Sequence, residues 1–148
     1  MTTERHAQAQ AQAQAPKQTQ QLTVLVVDDD ECSLDLARLT LNKLGVTQVQ
    51  DAHDGQDGLR VLDSLQPKPD IIICDVFMPD VDGIEVVSEL VKRRYAGGLI
   101  LVSSGDLQVF GIARLIAKES GLNLLGTLIK PLQQDELRQV LQGWASAD

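Results

Sequence analysis

Four stretches of the chain are apolar almost without interruption: residues 22–27 (LTVLVV), 71–74 (IIIC), 99–102 (LILV) and 124–129 (LLGTLI). Strands with one solvated face alternate apolar and polar residues. Continuous apolar runs of this length suit short parallel strands covered by helices on both sides. A weaker run, 46–52 (VTQVQDA), reads as a strand at the sheet edge. Between the strands the spacing becomes helical. Residues 32–44 place Leu34, Leu41 and Leu44 on one face and are closed by Gly45, and residues 56–65 carry Leu59, Leu62 and Leu65 inward. Residues 84–93 (IEVVSELVKR), 107–120 before Gly121, and 135–141 complete the set, with Asp106 placed to cap the fourth helix. Five strands alternating with five helices predict an α/β fold with a doubly wound parallel sheet.

Breakers agree with these boundaries. Pro67 and Pro69 precede the central strand, Met78-Pro79 and Asp82-Gly83 turn the chain into the third helix, and Gly97-Gly98 lead into the fourth strand. Residues 1–21 contain AQAQAQAQAPKQTQQ, a tract with no residue to anchor it in a core, so this tail is expected to be disordered. The domain proper is expected to span 22–148.

The polar residues of interest all lie just past a strand. Asp28-Asp29-Asp30-Glu31 follow the first, Asp75 ends the third, Ser103-Ser104 the fourth and Lys130-Pro131 the fifth. Each has an ordinary explanation, as a helix cap, a turn former or a solvated lysine. Their joint placement is harder to explain that way, because alternating βα topology brings all these strand ends to one edge of the sheet, where open α/β sheets bind ligands. Two strand ends bearing carboxylates imply a hard cation.

Charge narrows the partners. At 148 residues and a formal charge of −8, the chain has the size of one α/β domain and no basic footprint for nucleic acid or an anionic membrane. Cys32 and Cys74 lack metal-type spacing and are expected to be small core residues, while His6 and His53 are too far apart in sequence to suggest a zinc site. No apolar run reaches membrane-spanning length, and a cytoplasmic protein is expected.

VVDDD, DVFMPDVDG, LVSSGD and LIKP, in that order and at these intervals, closely resemble the receiver domains of two-component response regulators, over about residues 22–141. The stretch from LILVSSGD to AKESGLNLLGTLIKPL is most similar to receivers often found with cyclic-di-GMP phosphodiesterase modules. The resemblance implies the flavodoxin-like strand order 2-1-3-4-5. It also implies a phosphoacceptor at Asp75, charged by a histidine kinase or phosphotransfer protein, and Mg²⁺ held directly by Asp29, Asp75 and the Phe77 backbone carbonyl, with Asp28 acting through water. Lys130 would meet a phosphoryl oxygen behind a cis Lys130-Pro131 bond, and Ser103, or Ser104 one step on, would sense the phosphate. Such a protein catalyses only its own phosphorylation and dephosphorylation, and is not otherwise an enzyme.

The helix over 107–120 distributes Leu107, Val109, Phe110, Ile112, Leu115 and Ile116 over more than one face, which suits either deep burial or a partner surface. The implied output is a downstream protein or fused domain meeting the face over 107–141, with a homodimer possible and no direct contact to nucleic acid or membrane. The chain departs from the family at Gly126-Thr127-Leu128, where many receivers carry a switching aromatic, and at Phe77, which is bulky where attacking water must approach. Two other readings compete. One is a pseudo-receiver that never accepts phosphate; the other is a haloacid-dehalogenase-like phosphatase, since Asp28 and Asp30 also form Asp-x-Asp after a first strand.

Overall fold

The computed structural model describes residues 21–78, 82–105 and 107–146. Among them, strands and helices alternate as β1 (Thr23–Val27), α1 (Glu31–Lys43), β2 (Gln48–Ala52), α2 (Gly55–Ser64), β3 (Ile71–Asp75), α3 (Gly83–Lys92), β4 (Gly98–Ser103), α4 (Leu107–Glu119), β5 (Asn123–Ile129) and α5 (Gln134–Ser146). All strand pairs are parallel and the order is β2-β1-β3-β4-β5, the flavodoxin-like arrangement expected. The tail over 1–20, Pro79 and Asp106 lie outside the described residues.

The continuous apolar runs have the predicted cause. Leu25, Val27, Ile72, Cys74, Leu99 and Leu101 point to one side of the sheet, among Leu62 of α2, Val86, Val87 and Leu90 of α3, and Ala113 and Ala117 of α4. Their neighbours Val24, Val26, Ile71, Ile73, Ile100 and Val102 point to the other side, among Leu34, Ala37 and Leu41 of α1 and Leu137 and Leu141 of α5. Each of the valines, leucines and isoleucines contributes about 1.5–3 kcal/mol on full burial, so both faces of the central strands hold the sheet rigid.

Acids start three helices. Asp30 accepts from the Ser33 N–H at 3.0 Å, Asp54 from Asp57 at 2.7 Å and Asp82 from Glu85 at 3.0 Å. Gly45, at φ 95°, and Gly121, at φ 81°, turn the chain after α1 and α4 in the left-handed region that glycine enters without strain.

Several boundaries and burials differ from the sequence reading. α5 continues past 141 because Trp144 finds an apolar seat against the cluster on the α1/α5 side. Leu59 and Leu65 are only half-buried, since α2 lies over β1 and β2 at the sheet margin. Cys32 is exposed, not a core residue: it sits in the first turn of α1, ahead of the apolar stripe that begins at Leu34. Cys74 is buried as expected, and burial pushes its thiol far above the ordinary range, leaving it inert. In β5, Leu124 pairs with Leu99 but Gly126 with Ile100, so Leu125 is an extra, bulged residue.

Candidate functional site

Register builds the site. Val27 is level with Cys74 and Asp75 with Val102, so Asp28, one step past β1, comes level with Asp75. Ser103 is level with Ile129, which sets Lys130 one step past both. Each strand end is extended by a bond to its neighbour. The Asp28 N–H donates to the Ala52 carbonyl at 3.1 Å, Val76 to Val102 at 3.0 Å and Lys130 to Ser103 at 2.9 Å. The side chains therefore start from fixed backbone positions.

Three of the candidates meet directly. Lys130 Nζ lies 2.7 Å from Asp28 Oδ2 and 3.1 Å from Asp75 Oδ2. The other Asp28 oxygen accepts from the Asp30 N–H at 2.9 Å, and Asp75 Oδ1 accepts from the Phe77 N–H at 3.1 Å. Asp28 and Asp75 are buried and Asp29 is exposed, yet one carboxylate oxygen from each of the three lies within 4.8 Å of the others. Asp29 makes no side-chain hydrogen bond or ion pair among the described residues, so its oxygens are free to bind a ligand.

The ordinary explanations of the acids are thereby divided. Asp30, Asp54 and Asp82 are helix caps, whereas Asp28, Asp29 and Asp75 cap no helix among the described residues, Asp28 and Asp75 each accepting from only one backbone N–H, that of the residue two on. Lys130 is not a solvated lysine, for its side chain is only 17% exposed.

Burial is the main influence on Asp75 and pushes its carboxyl above the ordinary carboxylate range. The Asp28 charge adds to that, against the Phe77 N–H and the Lys130 ammonium, which favour ionisation. For Lys130, burial opposes the charge but is outweighed by the hydrogen bond to Asp28 and the charges of both acids, so its ammonium is held above the usual lysine value. Crowded carboxylates with one cation form an oxygen-rich, electron-dense pocket suited to a hard divalent ion, and the donor set fits Mg²⁺.

The remaining candidates border this group. Ser103 is fully buried and its oxygen accepts from the Gly105 N–H at 3.3 Å, while Ser104 is exposed, so Ser103 is the hydroxyl held in the sheet edge. The Lys130-Pro131 bond is cis, as expected. Phe77 is 59% exposed, its ring standing out from the strand end while its backbone is tied to Asp75. A cavity of about 330 Å³ opens from Asp28, Asp75 and Lys130 along α1, walled by Leu36, Pro131 and Leu132. That wall and the supporting Asp30 N–H escaped the sequence reading, since a backbone donor and an exposed leucine carry no sequence signal.

The fold and this group of residues are those of a response regulator receiver, and the chain belongs to that family: the family model for the response regulator receiver domain matches residues 24–142. Among its relatives, the positive alginate biosynthesis regulatory protein of Pseudomonas aeruginosa is 30% identical over 126 residues, covering 82% of this chain and 46% of that protein. The transcriptional regulatory protein TrcR of Mycobacterium tuberculosis is 36% identical over 123 residues, covering 82% of this chain and 44% of that protein. The chain thus spans about half the length of these relatives. A response regulator from Colwellia psychrerythraea superposes with a TM-score of 0.69 at 31% identity, over 84% of this chain and 96% of that one. A receiver domain protein from Clostridium thermocellum, at 24% identity and TM-score 0.71 over 84% and 94% of the two chains, shares the fold.

Proposed function

We propose that this receiver is a working phosphoacceptor and not a pseudo-receiver. Asp75 would take a phosphoryl group from the phosphohistidine of a histidine kinase or phosphotransfer protein. A carboxylate oxygen attacks phosphorus, the P–N bond breaks with its electron pair going to nitrogen, and the histidine, already protonated on its other ring nitrogen, leaves as neutral imidazole. The observation that carries this reading is the Lys130 ammonium bridging Asp28 and Asp75 while Asp29 stands beside them without a side-chain partner among the described residues.

Asp28, Asp29, Asp75 and the Phe77 carbonyl are the residues that would hold Mg²⁺, which when bound offsets the charge of the acids and of the incoming phosphoryl oxygens. Lys130 is placed to follow its Asp75 partner onto a phosphoryl oxygen, a charge-assisted contact. Ser103, buried at the neighbouring strand end, supplies the hydroxyl that would be drawn to the phosphate. Such a bond, at about 1.5–3 kcal/mol, is enough to shift a two-state surface more than tenfold.

The surface to be switched lies on α4 and β5. Leu107, Ile112, Leu115 and Ile129 are exposed there, whereas Val109, Phe110 and Ile116 of the same helix pack on the core. Burial therefore accounts for one side of the helix, and the exposed set suits a downstream protein, a fused output domain or a second copy. A curated relative in Escherichia coli is a DNA-binding transcriptional activator, and this chain covers 52% of it. Contact with DNA would belong to a part beyond the receiver, because the charge of −8 offers phosphate no basic footprint.

On this reading the protein turns over no metabolite and acts in the cytoplasm; among the described residues no helix is long and apolar enough to cross a membrane. Incubation with acetyl phosphate and Mg²⁺, followed by intact mass, tests the proposal. One added phosphoryl group, absent when EDTA is present, supports it; an unmodified chain at saturating donor would establish the pseudo-receiver instead.

A further inference from the structure

The segment after Asp75 is pinned from a direction the motif does not announce. Val76 donates its N–H to Val102 of β4 at 3.0 Å, and its carbonyl accepts from the Gly83 N–H, at the start of α3, at 2.9 Å. At Gly83 the approach is so close that a Cβ would stand 2.4 Å from the Val76 Cα and 2.7 Å from its Cβ. No real Cβ sits that near a backbone atom, so any side chain here must push Val76 or α3 away. Neither can give easily: Val76 is fully buried, Val86, Val87 and Leu90 anchor α3 in the same core, and the Asp82 cap fixes the helix start.

Val76 is the residue between Asp75 and Phe77. Its displacement would carry with it both the Phe77 N–H that orients the Asp75 carboxylate and the Phe77 carbonyl assigned to Mg²⁺. We infer that Gly83 is a positioning residue for the metal site, its missing side chain letting α3 clamp the Val76 backbone and so set the distance between Asp75 and the Phe77 peptide. This inference rests on the Mg²⁺ reading given above. Helix propensity would favour Ala over Gly at this position, so any loss on substitution comes from the contact with Val76 and not from the helix.

Mg²⁺ titration of the chain by calorimetry, with no phosphodonor present, tests the inference. Gly83→Ala is expected to raise the dissociation constant by about 10-fold or more, the usual effect of disturbing a group behind a metal ligand. Gly111→Ala on α4, where an added Cβ meets nothing within 4 Å, should leave it unchanged. With acetyl phosphate added, the Mg²⁺ concentration for half-maximal labelling should shift likewise.

Should Gly83→Ala fail to fold, the same titration is made on Asp82→Ala and Asp82→Asn. Both remove the charge, but only Ala removes the cap that fixes the start of α3. Weaker binding by the Ala variant than by the Asn variant supports the clamp. A wild-type chain that binds no Mg²⁺ overturns the reading beneath the inference. Wild-type binding with unchanged constants in folded Gly83→Ala, or equal constants in the Asp82 pair, overturns the clamp alone.

Discussion

Lys130 Nζ lies closer to Asp28 Oδ2, at 2.7 Å, than to Asp75 Oδ2, at 3.1 Å. Asp28 is thus the resting partner of the lysine, and the longer contact is the one a phosphoryl group on Asp75 would replace. Lys130→Met leaves two buried carboxylates facing each other without a cation. It is expected to lower stability by about 3 kcal/mol, the cost typical of breaking a buried pair. Mg²⁺ should restore part of that loss, measured as a larger rise in thermal midpoint with Mg²⁺ than in the wild type. An unchanged midpoint in the variant would show that the bridge carries no weight.

Because the folded chain holds the Asp75 carboxyl above its ordinary range, chiefly by burial, ionised Asp75 weakens the fold. That cost is felt above the folded-state pKa and relieved as pH falls through it. Asp75→Asn should therefore be more stable than the wild type at about pH 7, with the gap closing toward about pH 4 as the wild-type acid is protonated. Denaturation at both pH values checks this, and a gap that widened on acidification would contradict it.

The two neighbouring acids should differ in their hold on metal. Asp28 is buried, with one oxygen on Lys130 and the other on the Asp30 N–H, whereas Asp29 is exposed and unpaired among the described residues. Asp29→Ala should weaken Mg²⁺ binding more than Asp28→Ala, because a direct ligand outranks one acting through water. Calorimetric titration giving the reverse order would exchange their roles.

Phe77, two residues past the acceptor, stands 59% exposed, its ring not folded into the core. Hydrolysis of an aspartyl phosphate requires water in line with the P–O bond, which an apolar ring obstructs, and Gly105 has no side chain to orient that water. Phe77→Asn should shorten the lifetime of the phosphorylated chain severalfold at equal Mg²⁺. A lifetime unchanged or lengthened would mean that the ring does not gate the approach.

What was legible in the sequence follows from periodicity and register. Runs such as IIIC reveal burial on both faces, and once the sheet is parallel every strand ends at the same edge, so Asp28, Asp75, Ser103 and Lys130 had to converge. What was not legible depends on single close contacts. Leu125 is bulged because β5 holds one residue more than its pairing with β4 can use, a count that no hydrophobic pattern records. Cys32 looked like a core residue by type, yet its place in the first turn of α1 faces it outward. Gly83 read as a turn former, and only the 2.4 Å approach to Val76 shows that it is a steric requirement.

The central claim is that Asp75 is the acceptor, and the most direct measurement is phosphoryl stoichiometry by mass for the wild type and Asp75→Asn, side by side, with acetyl phosphate and Mg²⁺. The substitution is nearly isosteric, so the fold should persist. The wild type is expected to gain one phosphoryl group, mapped by peptide mass to the segment holding Asp75, and the variant none. Stoichiometric labelling of Asp75→Asn at another residue would contradict the account.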